Sequence, residues 1–310
     1  MVDFSPFRLS VAEQHLGVYG IHILHEDPAT GRRVAEEHRF RADDRVCLYS
    51  ASKTFTSVGV GIAIEEGLLS LEDRLLDAFP DDAADAAPGV GDITVRHLLT
   101  MTAGSPFTWF EPGQKDGDDW LGAFFQTPLV AEPGTRFEYS NSCTYALGRL
   151  IEHHSGLTLR DYLLPRLFGP LGIRNPQWHT CPQGHTIAAS ELFLTTSELA
   201  RLGETLLDGG SYRGMRIVPA SYVDAMHAGW VDTRLGRGAD RDVDPEGEAY
   251  GLQVWRCTVP GAWRADGMYG QFSVVLPDQR ACVTVTSHRE GNIDDILRAV
   301  WRDVLPQLAA

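Results

Sequence analysis

The sequence predicts an α+β fold in which an antiparallel sheet is assembled from both ends of the chain and a mainly helical part is inserted between them. Alternating runs rich in Val, Ile and Tyr lie near the start, at 16–25 and 32–40, and return near the end, at 250–258, 270–276 and 281–287. Between them, apolar residues recur at helical spacing. Turn residues separate the strand candidates: Asp27-Pro28-Ala29-Thr30-Gly31, Val259-Pro260-Gly261 and Pro277-Asp278-Gln279. This pattern places residues 1–66 and 235–310 in a discontinuous sheet domain and residues 67–234 in a helical one, with an active site at their junction.

Taken in order, the first two runs form a hairpin, and a short strand at 46–49 delivers Ser50 to the start of a helix over 52–66 whose continuation, 58–64, is largely apolar. Gly67 stops that helix, and a capped helix follows over 92–101, closed by Ala103-Gly104. Residues 105–134 carry Trp109, Phe110, Trp120, Phe124, Phe125 and several prolines, and read as a long substrate-facing loop with at most one helical turn. Helices are expected after Tyr139-Ser140-Asn141, at 159–167, at 196–207 from an N-cap at Thr195 or Thr196, and at 293–308. Residues 235–249, rich in Gly, Asp and Arg, read as an exposed loop.

With 43% hydrophobic and 22% charged residues, the 310-residue chain is long enough for a substantial core. Its net charge of -15 disfavours nucleic acid and anionic membrane surfaces as partners. The start of the sequence lacks a signal-peptide pattern and no stretch has the length of a membrane span, so a cytoplasmic location is expected. Five scattered cysteines, Cys47, Cys143, Cys181, Cys257 and Cys282, fit free thiols in a reducing compartment.

Ser50 and Lys53, three apart at a helix start, share a face, so hydroxyl and amine come within hydrogen-bond reach. Burial there lowers a lysine pKa and lets it accept a proton, which arginine cannot do. The chain contains just two lysines, Lys53 and Lys115, among 27 Lys and Arg residues, so a lysine in an apolar helix start fits proton transfer. The same residues also fit an N-cap serine and a snorkelling lysine. Tyr139 and Asn141 form a second candidate, a phenol and an amide aimed into one cleft, the phenol's pKa lowered by a neighbouring ammonium; half-buried packing is the alternative. A third is Ala265-Asp266-Gly267-Met268-Tyr269-Gly270-Gln271, read as entering a strand whose edge N–H groups bind an oxyanion, or as a simple β-turn. No Gly-x-Ser-x-Gly elbow occurs, Gly59-Val60-Gly61 lacks the third glycine of a dinucleotide fingerprint, and His179, Cys181 and His185 lack a fourth metal ligand.

In this order and spacing the three candidates resemble the serine β-lactamase and penicillin-binding-protein superfamily, specifically its class C-like hydrolases, which include esterases, D-amino-acid peptidases and nylon-oligomer hydrolases. The resemblance runs from about Gly17 to the C-terminus. It also includes Glu66-Gly67-Leu68-Leu69-Ser70-Leu71-Glu72-Asp73, His97-Leu98-Leu99-Thr100-Met101-Thr102-Ala103-Gly104 and Pro133-Gly134. It implies a β-lactamase/transpeptidase-like fold and a serine hydrolase that cleaves a small ester, amide or short peptide through an acyl-enzyme on Ser50. Lys53 is then the base, Tyr139 the proton relay, Asn141 an orienting group, and the N–H groups of Ser50 and Met268, next to Gly267, the oxyanion hole. Neither metal nor organic cofactor is implied. An acyltransferase or peptide cyclase, or a penicillin-binding-type protein without turnover, is compatible with the same residues. Where β-lactamases carry Lys-Thr-Gly, this chain has Ala265-Asp266-Gly267. Asp266 facing the site repels a substrate carboxylate, which argues against β-lactam hydrolysis and for a neutral or cationic substrate.

Overall fold

The computed structural model describes residues 1–27, 30–237 and 243–308. Parts of two sequence expectations, positions 28–29 of the turn at 27–31 and 238–242 of the loop at 235–249, lie outside the described residues.

Eight antiparallel strands form one sheet in the order Arg33–Arg39, Val18–Glu26, Ala281–Ser287, Gln271–Leu276, Trp263–Gly267, Trp255–Arg256, Ala249–Tyr250 and Val231–Asp232. The N-terminal hairpin therefore pairs with the last strand of the chain, in a register that sets Ile21 opposite Val285 and Ile23 opposite Val283. Period-two alternation divides the central strands between two faces. Phe272, Val274, Val283 and Val285 point into a core shared with the helix Ser5–Glu13 and the C-terminal helix from Asp294. Ser273, Cys282 and Thr284 point the other way, towards the helix Thr196–Leu207, whose Gly203 meets them so closely that an added Cβ would lie 2.2 Å from Cys282 Sγ. With both faces covered, the strands Gln271–Leu276 and Ala281–Ser287 are buried along their whole length.

A larger core surrounds the helix Ser52–Glu65, buried on every side from Ser52 to Ala63. Gly59 admits Ile151, Leu159 and Leu163, and Gly61 admits the Tyr222 ring, where a Cβ would come within 2.5 Å. The Gly-Val-Gly string is therefore a packing device. The helix Asn141–Ser155 packs alongside, ended by Gly156 in the left-handed conformation.

Several elements differ from expectation. The helix expected over 92–101 is Val95–Leu99, because Thr94 caps it in a reciprocal box with His97 while Asp92 ends a preceding 3-10 turn. The loop 105–134 contains a two-turn helix, Trp120–Gln126, capped by Asp119. Pro165 turns the segment after Leu159–Leu163 into a π-turn, Leu164–Phe168. Ala265-Asp266-Gly267 end a strand instead of entering one; the next begins at Gln271, after a turn with Tyr269 and Gly270 at φ +63° and +89°. Two helices that the sequence pattern did not disclose, Ser5–Glu13 and Ala220–Ala228, are short and held by docking.

Gly203→Ala is expected to destabilise the fold by about 1–3 kcal/mol, the usual cost of overpacking a filled interface. Urea unfolding of wild type and variant measures it, and an unchanged midpoint would show that the helix is free to move off the sheet.

Candidate active site

The site begins where a second, three-stranded sheet ends and the buried helix starts. The strand Val46–Cys47 pairs with Leu192–Leu194, and Leu48 N–H donates to Leu192 O at 2.8 Å. Tyr49 then takes a left-handed φ of +47°, and a 3-10 turn, Tyr49–Ala51, leads into the helix. Ser50 is consequently left half-buried at the edge, and Lys53, one turn on, is 1% exposed. Lys53 Nζ donates to Ser50 Oγ at 3.0 Å, Asn141 Oδ1 at 2.6 Å and Ala189 O at 3.0 Å. None of these three partners is a carboxylate. Burial therefore dominates and lowers the Lys53 pKa to about 7, opposed in part by Cys143 and Asp266.

Asn141 is held by the first turn of its helix. Ser140 Oγ accepts from the N–H groups of Ser142 and Cys143 and donates to Phe107 O, while Asn141 N–H donates to Thr108 O at 3.1 Å. Tyr139 packs against Tyr250 and Trp255, its ring centre 5.0 Å from Lys53 Nζ, and its hydroxyl lies towards the side chain of Ser50. The expected lowering of the Tyr139 pKa is overturned: burial pushes the phenol up, and the neighbouring Ser50 side chain offsets this only in part. Tyr139 is a protonated donor at neutral pH.

Opposite the serine turn lies the end of the strand Trp263–Gly267. A Cβ on Gly267 would fall 2.2 Å from Leu48 O and 3.0 Å from Ala51 N, so only glycine lets this strand press against the turn that carries Ser50. Met268 follows, its side chain 54% exposed, and then Tyr269, whose ring meets Tyr49 edge-on at 5.1 Å and stacks on His288 at 4.2 Å. Asp266 is not the free repelling charge that the sequence reading assumed. Arg264 Nε and Nη2 both reach its Oδ2, at 2.9 and 2.8 Å, and Arg264, 2% exposed, also donates to Glu246 O and Arg256 O.

A cavity of about 560 Å³ opens at Asn141. Its walls are Trp109, Trp120, Trp178 and Ile187, with Lys115 and Glu191 among its polar groups. Of the loop expected to face the substrate, Trp109 and Trp120 line this cavity, whereas Phe124 and Phe125 are buried in the core. Trp178, Ala189 and Glu191 were not foreseen, since they come from a segment with no motif, and a main-chain carbonyl such as that of Ala189 leaves no mark in a sequence. His179, Cys181 and His185 turn to separate partners, Glu191, Tyr145 and Glu152, and no group of three or more metal-binding side chains occurs among the described residues.

The beta-lactamase family profile matches residues 16–305. The chain belongs to the beta-lactamase family. A lovastatin esterase from Penicillium rubens is 28% identical over 215 residues, covering 61% of this chain and 53% of the esterase. A 6-aminohexanoate-dimer hydrolase from Paenarthrobacter ureafaciens is 28% identical over 245 residues, covering 73% of this chain and 61% of that protein. The match thus spans between half and two thirds of these curated relatives. The solved structure of a D-stereospecific amidohydrolase from a Streptomyces species superposes with a TM-score of 0.69 at 20% identity, over 96% of this chain and 98% of that one, and shares the fold.

Arg264→Met leaves Asp266 and Glu246 without their buried cation and is expected to cost about 3–5 kcal/mol. Chemical denaturation measures the loss; wild-type stability would mean that the two acids are neutral in the fold.

Proposed function

We propose that the protein is a serine hydrolase of the esterase/amidase type, cleaving a small ester or amide through an acyl-enzyme on Ser50. The observation that carries this reading is the buried Lys53, with no carboxylate among its three partners, 3.0 Å from the hydroxyl of Ser50. A neutral amine donates its two hydrogens to Asn141 Oδ1 and Ala189 O and turns its lone pair towards Ser50. As Ser50 Oγ bonds to the substrate carbonyl carbon, its proton passes to Lys53, and the carbonyl oxygen takes the negative charge. The N–H groups of Ser50 and Met268, on the two segments that Gly267 brings together, are assigned to that oxyanion. Tyr139, kept protonated by burial, gives its proton to the leaving alkoxide or amine and regains one from Lys53. Water then repeats the sequence on the acyl-enzyme and releases the acid.

The same residues support the two-part organisation, since Ser50, Lys53 and Met268 come from 1–66 and 235–310 and Tyr139 and Asn141 from 67–234. The five free cysteines support a reducing, cytoplasmic setting. No helix among the described residues is long and apolar enough to cross a membrane. The loss of Lys-Thr-Gly argues against β-lactams as substrates.

Intact-protein mass after brief incubation with a fluorophosphonate, with p-nitrophenyl acetate and with a penicillin tests the reading. A Ser50-dependent adduct, ester turnover and no stable penicilloyl mass are expected, with Ser50→Ala inert; no adduct with any of the three would overturn it. Because the amine must be neutral to accept a proton, the acylation rate is expected to rise with pH through about 7 and then level off. Lys53→Arg, which cannot deprotonate, is expected to abolish that limb and the rate together. Tyr139→Phe is expected to slow turnover by about a hundredfold or more; an undiminished rate would move the proton relay elsewhere.

A further inference from the structure

We propose that the substrate's acyl group has an apolar or aromatic body lying between Trp109, Trp120 and Trp178 and ends in a carboxylate held by Lys115. This rests on the acyl-enzyme reading and extends it to the class of substrate. Tyr139, which protonates the leaving group in that reading, packs with Tyr250 and Trp255, and none of these three lines the cavity, whereas Asn141, bonded to Lys53, does. What enters the cavity is therefore the part of the substrate that stays on Ser50. Three indoles and Ile187 give that part flat apolar walls, and pockets of this kind bind through such walls and draw orientation from few polar groups.

Lys115 is the cation at this cavity, and no carboxylate forms an ion pair with it among the described residues. Lys115 lines the cavity and the chain's other lysine, Lys53, is bonded to Asn141 in its wall, while every other long cationic side chain is an arginine. The Lys115 ammonium is 5.3 Å from the ring centre of Trp109 and 5.9 Å from that of Trp120. These two rings meet edge-on at 4.5 Å, and they hold the cation by its attraction to their faces without neutralising it. Among the described residues no carboxylate stands within ion-pair distance of it. Glu191, the acid of the same cavity, lies against His179 at 3.3 Å. Two objections to an anionic substrate fall away. Asp266 is bound by Arg264, and the net charge of -15 is screened beyond about 10 Å, so the charges at the cavity itself, Lys115 and Glu191, govern recognition there.

The test compares three p-nitrophenyl esters of matched length: hexanoate, the half-ester of adipic acid, and aminohexanoate, with Ser50→Ala subtracting the uncatalysed rate. Wild type is expected to prefer the adipate half-ester over hexanoate in kcat/KM, the difference residing in KM. Lys115→Ala is expected to reduce the adipate-to-hexanoate ratio about tenfold, the effect of one charge-assisted hydrogen bond, and Lys115→Arg to keep it. Lys115→Glu is expected to reverse the order in favour of aminohexanoate. A wild-type preference for aminohexanoate, or the same ratio in wild type and Lys115→Ala, overturns the role of Lys115 while leaving the acyl-enzyme intact. Absence of Ser50-dependent turnover of all three esters overturns the hydrolase reading itself, and this inference with it.

Discussion

The burial of one ammonium group organises this molecule. Removing Lys53 from water is costly, and a neighbouring carboxylate would have offset the cost at the price of a permanently charged lysine. Instead the chain supplies a hydroxyl, an amide oxygen and a main-chain carbonyl, from Ser50, Asn141 and Ala189. These come from three separate regions of the sequence. Keeping them within 3.0 Å of one nitrogen requires the helix Ser52–Glu65 to be enclosed on all sides, which explains the glycines at 59 and 61 and the packing of Tyr222 and Ile151 against them.

The strand Trp263–Gly267 beside the serine poses the opposite problem, since it must be held firmly while leaving its end open to a ligand. Its small residues, Ala265 and Gly267, face the serine turn and permit close approach. Its charged residues face away, where Arg264 bridges Asp266 and Glu246, and Glu246 accepts from Trp301 in the C-terminal helical segment at 2.9 Å. The strand is thereby tied to the layer behind the sheet. The contact of Tyr49 with Tyr269 joins the serine turn to the turn after Met268 from the front, each tyrosine in a left-handed conformation that a side chain adopts only when its surroundings impose it.

Much of this was legible in the sequence because it depends on local pattern. Alternation located the hairpin and the last two strands almost to the residue: Arg33–Arg39 alternates exposed and half-buried positions, and the last two strands, buried throughout, carry a constraint at every position. The Ser50–Lys53 spacing specified a shared helical face, and Thr195 and the glycines at 209 and 210 marked the ends of a helix. Less legible were elements sustained by their partners. The strand Trp263–Gly267 merged with the turn that follows it, and the helix Ser5–Glu13 depends on the core it shares with the last residues of the chain.

The sequence by itself determined which groups are available: a serine and a lysine one helical turn apart, a phenol and an amide two residues apart, a glycine next to a strand, and lysine at two positions where the chain otherwise uses arginine. Only the tertiary structure decided their states. Whether Lys53 is charged depends on water that distant segments exclude, and whether Tyr139 is a donor or a base depends on the same exclusion. Asp266 looked like an unopposed charge until Arg264, two residues away on the same face of the strand, was found bound to it. Local spacing specifies geometry along one element, but the electrostatic free energy of a group is a property of everything packed around it.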